Sequence, residues 1–142
     1  MIENRLRVGA LAIAVGLGAG AAHAEELGFT ASLAGADEVP PVETTATGAV
    51  DATYDTESRQ LNWSLEYSGL SGDATAAHFH GPAAPGENAG PVVAFEDTAS
   101  GSEGSAELTE EQAAQLRDGQ WYANIHTAEH PDGEIRGQVT AE

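Results

Sequence analysis

Leu61-Asn62-Trp63-Ser64-Leu65-Glu66-Tyr67 is the stretch that decides the fold, because apolar and polar side chains alternate along it and every second residue therefore faces the same way on an extended strand. Just upstream, Val50-Asp51-Ala52-Thr53-Tyr54 alternates in the same register, and only the short polar segment Asp55 to Arg59 separates the two runs. That pairing predicts an antiparallel hairpin. Leu27, Phe29, Ala31 and Leu33 alternate again and predict a first strand. Gly35 to Pro41 reads as a turn region, since Pro40-Pro41 lacks the N–H groups that a central ladder needs.

Downstream, Thr75 to His80, Pro91 to Phe95, Gly104 to Leu108, Trp121 to His126 and Glu134 to Val139 are further short strands, divided by clusters of Gly, Pro, Asp and Ser. Pro131-Asp132-Gly133 is turn chemistry with a mechanism, because Pro presets φ and Gly accepts a positive one. A single helix is predicted over about 110–117: Thr109 and Gln112 form a capping box, Glu110 and Glu111 suit the positive end of the dipole, and Gly119 closes it. Its two turns make it a connector. The pattern predicts an all-β fold, an antiparallel Greek-key-like β-sandwich or barrel with one short connecting helix.

Residues 1–24 are expected to be a secretory signal peptide. Arg5 and Arg7 supply the positive start, Val8 to Ala22 an apolar run, and Ala22-His23-Ala24 a small-x-small cleavage site. The apolar run is shorter than the roughly 20 residues that span a bilayer, so no membrane span is expected after cleavage. Residues 25–142 then form one domain, without internal repeats, in the periplasm or outside the cell.

Composition removes several classes of function. The chain has no cysteine, which excludes disulfides, thiolate catalysis and cysteine-based metal sites. It carries 23 acidic against 5 basic residues, a net charge of -18, and no lysine. Nucleic acid and anionic lipid are unsuitable partners for that field, since their phosphates must be neutralised by Lys or Arg. The carboxylates are spread along the chain, as in a solvated surface kept soluble by self-repulsion, while the same field raises the local concentration of cations. No phosphate-binding loop, calcium loop or nucleophile elbow is present.

The remaining chemistry lies with histidine. In Ala77-His78-Phe79-His80 the two imidazoles are two residues apart on a strand and share one face. In the later strand Trp121, Ala123 and Ile125 face the core, which leaves Tyr122, Asn124 and His126 on the other side, and His130 follows in the turn. Bringing the two strands together would cluster His78, His80, His126 and His130. Imidazole suits copper and zinc, and with no thiolate or thioether in the mature chain the favoured ion is copper, then zinc. Glu129, Asp132 and Glu134 are carboxylates placed to complete or orient such a site. Arg136 either guides an anion towards it or pairs with a nearby carboxylate.

Four ordered segments resemble the CHRD domain, a family named after chordin and common in bacterial secreted proteins. They are Phe29 to Pro41, Ala77-His78-Phe79-His80-Gly81-Pro82, Tyr122-Ala123-Asn124-Ile125-His126-Thr127 and Pro131 to Gln138. The resemblance implies an all-β extracellular or periplasmic module and leaves its biochemistry open. A weaker likeness to copper–zinc superoxide dismutase, also a Greek-key β-sandwich with a His-x-His pair on a strand, lacks that enzyme's cysteines and aspartate-bearing zinc loop. Three readings follow. The first is an exported metal-binding domain. The second is a structural or interaction module with an extracellular protein partner and no metal. The third is a copper enzyme that dismutates superoxide.

Overall fold

The computed structural model describes residues 24–142, so the expected signal segment lies outside the described residues apart from Ala24. Among the described residues nine strands are present: β1 (Glu26–Ala34), β2 (Thr47–Asp55), β3 (Gln60–Ser68), β4 (Ala74–His80), β5 (Pro91–Ala94), β6 (Ser102–Glu107), β7 (Tyr122–Thr127), β8 (Ile135–Gln138) and β9 (Thr140–Ala141). One α-helix, α1 (Glu110–Arg117), interrupts them after β6.

The hairpin read from the alternating runs is β2–β3, with Val50 opposite Leu65, Ala52 opposite Trp63 and Tyr54 opposite Leu61. All six side chains are buried, because the register that pairs them also puts them on one face. The complete antiparallel sheet runs β5-β4-β7-β8-β1-β2-β3-β6, with β9 beside β1. Pairings such as β4 with β7 and β3 with β6 join strands distant in sequence, so the connections cross between the halves in Greek-key fashion.

The sheet curls on itself until its ends face each other. Trp63 of β3 stands edge-on to Phe79 of β4 with ring centroids 5.4 Å apart, and stacks on Phe95 at 4.9 Å. Phe79 in turn lies 5.6 Å from Trp121. Each such pair adds about 0.5–1.5 kcal/mol beyond the area it buries, which offsets the absence of disulfides. The result is a nearly closed sandwich whose core is lined by the alternating residues of every long strand.

Helix α1 forms where the capping box puts it. The Thr109 side chain accepts from the Gln112 N–H, and the Gln112 side chain accepts from the Thr109 N–H. At the other end Gly119 takes φ +73, its N–H donates to Leu116 and that of Gln120 to Gln115, which satisfies the last carbonyls. Ala113 and Leu116 are buried and dock the helix onto the core.

The expected strand over Glu134 to Val139 is β8, which pairs with β7 along its length and with β1 at Ala34 and Arg136, and after Val139 the short β9 adds to β1 at Phe29 and Thr30. Gly137 permits the close approach of β8 to β1, since a Cβ there would collide with the Ser32 carbonyl. One feature departs from the sequence reading: the sheet near β7 is covered on both faces. Tyr122 and Asn124, which alternate away from the core, are nevertheless buried. The segment 35–41 and the loop 81–90 lie over them and are tied together by the Asn88 side chain donating to the Val39 carbonyl.

Candidate metal centre

Strands β4 and β7 are hydrogen-bonded neighbours, with Ala76 opposite His126, His78 opposite Asn124 and His80 opposite Tyr122. Both histidines of β4 and the histidine of β7 therefore emerge from the same outer face, His126 diagonal to His78. The ring centroids are 5.2 Å apart for His78 and His126, 5.4 Å for His78 and His80, and 5.9 Å for His80 and His126. One nitrogen from each ring falls within 4.8 Å of the others.

Two tautomers are fixed by backbone acceptors. His80 Nδ1 lies 2.9 Å from the Ala89 carbonyl, and His126 Nδ1 lies 2.9 Å from the Pro131 carbonyl. A carbonyl oxygen only accepts, so in both rings Nδ1 carries the proton and Nε2 presents a lone pair. His78 Nδ1 is 3.3 Å from His126 Nε2 and must be the donor in that contact. His80 Nε2 is buried and has no partner at all.

The surroundings favour the neutral form of His78 and His80. His80 is 8% exposed. Burial, opposed by the Ala89 hydrogen bond and assisted by His78, His126 and Arg136, depresses its pKa to about 4. Burial first and His126 second also lower the pKa of His78. The His80 ring is held parallel to that of Tyr122, with centroids 4.8 Å apart. The Tyr122 hydroxyl donates to the Ala89 carbonyl at 3.0 Å and accepts from the Ala89 N–H at 3.1 Å. One residue of the covering loop thus orients both aromatic rings.

The expected fourth histidine, His130, does not join this group. Half-buried in the turn after β7, it donates its N–H to Thr127 Oγ1 at 3.2 Å. Its carbonyl accepts from the N–H groups of Thr127 and Gly133. His130 therefore closes the turn that sets the Pro131 carbonyl behind His126. Glu129 and Asp132 are exposed and also stand apart from the group. Glu134 is 0% exposed and turned inward. Its carboxylate accepts from Thr127 Oγ1 at 2.9 Å, Thr44 Oγ1 at 3.0 Å and both the N–H and the hydroxyl of Ser71. It anchors the base of the turn through Thr127.

Arg136 is 2% exposed, with its guanidinium 3.5 Å from the centre of the Tyr122 ring. It donates to the Asn88 side chain and the Glu87 carbonyl, which leaves it holding the covering loop and not facing solvent to guide an anion. Beside it, Glu38 accepts from Asn124 and is itself buried. Sequence reading missed Glu38, Asn124 and the two carbonyls, since none of them carries a motif.

Burial raises the Glu38 carboxyl from 4.5 to about 7, outweighing the opposing Arg136 charge and Asn124 hydrogen bond. Between those two values the folded chain binds more protons than the unfolded one, so this residue makes stability fall as pH rises through the window. Glu38→Gln should remove that fall, a difference on the order of 2 kcal/mol after allowance for solvent screening. Urea unfolding of both proteins at pH 4.5 and 8 checks it, and parallel pH profiles would contradict the assignment.

A family model, the CHRD domain, matches residues 29–139. The chain belongs to the CHRD domain family. The match runs from β1 to the residue after β8, so the three clustered histidines, both covering segments and the 127–133 turn all lie within the CHRD domain. No curated protein and no solved structure matches the chain significantly. Among the described residues no helix is long and apolar enough to cross a membrane.

Proposed function

We propose that this CHRD domain is an exported metal-binding module in which His78, His80 and His126 hold copper(II), with zinc(II) as the weaker alternative. The observation that carries the reading is His80 Nε2, a buried lone pair without a donor. Leaving such an acceptor unpaired costs about 1–3 kcal/mol, and a ring whose opposite nitrogen is already tied to a carbonyl cannot turn to relieve it. A metal ion relieves it. Carbonyls behind metal-bound imidazoles are the usual means of fixing ring orientation and tautomer.

Distances support the same reading. Metal–imidazole bonds of about 2.0–2.1 Å at tetrahedral angles set the nitrogens roughly 3.3 Å apart. His78 Nδ1 and His126 Nε2 are separated by 3.3 Å, and one nitrogen of each of the three rings lies within 4.8 Å of the others. On binding, His78 would carry its proton on Nε2, leaving Nδ1 as the donor. Imidazole-only donors suit copper and zinc, and affinity at such sites follows the order that places copper(II) above zinc. The signal-like segment 1–24 would deliver the domain outside the cytoplasm, where its acidic field concentrates cations.

Equilibrium dialysis against copper(II) and zinc(II) tests the proposal. One tightly held ion per wild-type chain is expected, and the His78→Ala/His80→Ala variant should bind at least about 100-fold more weakly, since losing even outer-sphere support costs roughly 10–100-fold. Equal tight binding by the double variant would sink it.

A further inference from the structure

A metal ion held by these three rings would have one side that the chain does not supply. Among the described residues, the group of His, Asp and Glu side chains within ligand reach has three members, His78, His80 and His126. The polar side chains that flank them on β7 are committed elsewhere. The Asn124 amide donates to Glu38 and to the Ile135 carbonyl, and the Tyr122 hydroxyl is engaged twice by the Ala89 peptide. The burial is also one-sided, with His80 beneath at 8% exposed while His78 and His126 are half-buried rings nearer the surface. The unfilled side therefore faces solvent.

Resting on the metal reading above, the geometry points to an exchangeable fourth coordination position in this CHRD domain, filled by water and open to a compact monoanion. The donor set explains why an anion is accepted by a chain of net charge -18. Three neutral imidazoles leave the full double charge on the ion, whereas a carboxylate or thiolate ligand would cancel part of it. The rings crowd to within 5.2–5.9 Å of one another, so the position suits a ligand that binds through a single small atom. Imidazole sites of three ligands with an open position are the arrangement that reactive metal centres use, while closed four-ligand sites are structural. The open position would therefore separate a reactive centre from a purely structural one.

Azide titrated into the copper(II)-loaded full-length protein tests the inference, read by absorption and electron paramagnetic resonance. A saturable charge-transfer band at one azide per copper, with a shift in the copper spectrum that retains nitrogen hyperfine structure, is the expected result. The His78→Ala/His80→Ala/His126→Ala variant, shown folded by circular dichroism, controls for copper on surface carboxylates and should not develop that band. Copper bound with the three-nitrogen signature but unmoved by azide overturns the open position while leaving the metal reading intact. A band that emerges only after His130→Ala also overturns it, because the turn histidine would then be filling the fourth place. Absence of stoichiometric copper in the wild-type protein overturns the metal reading and this inference with it.

Discussion

Copper(II) at about a hundredfold excess over its Kd should raise the midpoint of thermal unfolding by roughly 10 °C, and His80→Ala should lose nearly all of that gain. A ligand that binds only the folded chain at this excess contributes about 2.7 kcal/mol, and a domain of this size shifts by a few degrees for each kcal/mol. His80 is the decisive position because its Nε2 is buried and unpartnered, while its Nδ1 is held at 2.9 Å by the Ala89 carbonyl. Removing the ring deletes the floor of the site. Without metal the same substitution loses the stack on Tyr122, the packing against His78 and His126 and one hydrogen bond, but no metal ligand, so the two proteins should differ more with copper than with chelator. Calorimetry in both conditions measures the difference. An equal copper shift in both proteins would assign the metal to surface carboxylates and remove the histidine site.

Glu134→Ala should destabilise the domain by about 3–4 kcal/mol. The carboxylate is 0% exposed and accepts from Thr44, Thr127 and two groups of Ser71, so its removal orphans several buried donors at once. Burial pushes its pKa up, but the bonds from Ser71, Thr127 and Thr44 outweigh that and hold it below the ordinary value. Its stabilising contribution is therefore complete above the unfolded-state value of 4.5 and is lost as pH falls through the lower folded value. Glu134→Gln should show a smaller loss at neutral pH and a flatter acid limb. Chemical unfolding at pH 7 and pH 3 checks both. Because Thr127 links Glu134 to the turn that carries Pro131, the alanine variant should also weaken copper binding by roughly 10–100-fold, the usual effect of disturbing the support behind a metal-bound imidazole. Unchanged stability at pH 7 would remove Glu134 from this role.

The antiparallel all-β class was legible from alternation alone, as Leu61, Trp63 and Leu65 illustrate: period-two burial leaves one register for the hairpin with β2. Helix α1 was legible to the residue because capping is a local contest between side-chain and backbone hydrogen bonds, settled within Thr109 to Gln112. The neighbour of β8 was hidden, since Gly137 lies against the Ser32 carbonyl of a strand about a hundred residues earlier in the chain, and no local pattern marks that approach. His130 lies in the turn where its sequence position puts it, but its backbone closes that turn and the group of clustered histidines has three members without it.

By itself the sequence determined that His78 and His80 share a face, because a strand's geometry allows nothing else, and that no cysteine competes with them. Tertiary structure decided that β7 lies beside β4, which brings His126 within 3.3 Å of a ring 48 positions away. It also decided which nitrogens are free, through the carbonyls of Ala89 and Pro131 on two separate loops. Every residue supplies the same backbone carbonyl, so no composition or spacing marks the two that lock these tautomers. Only the path of the folded backbone selects them.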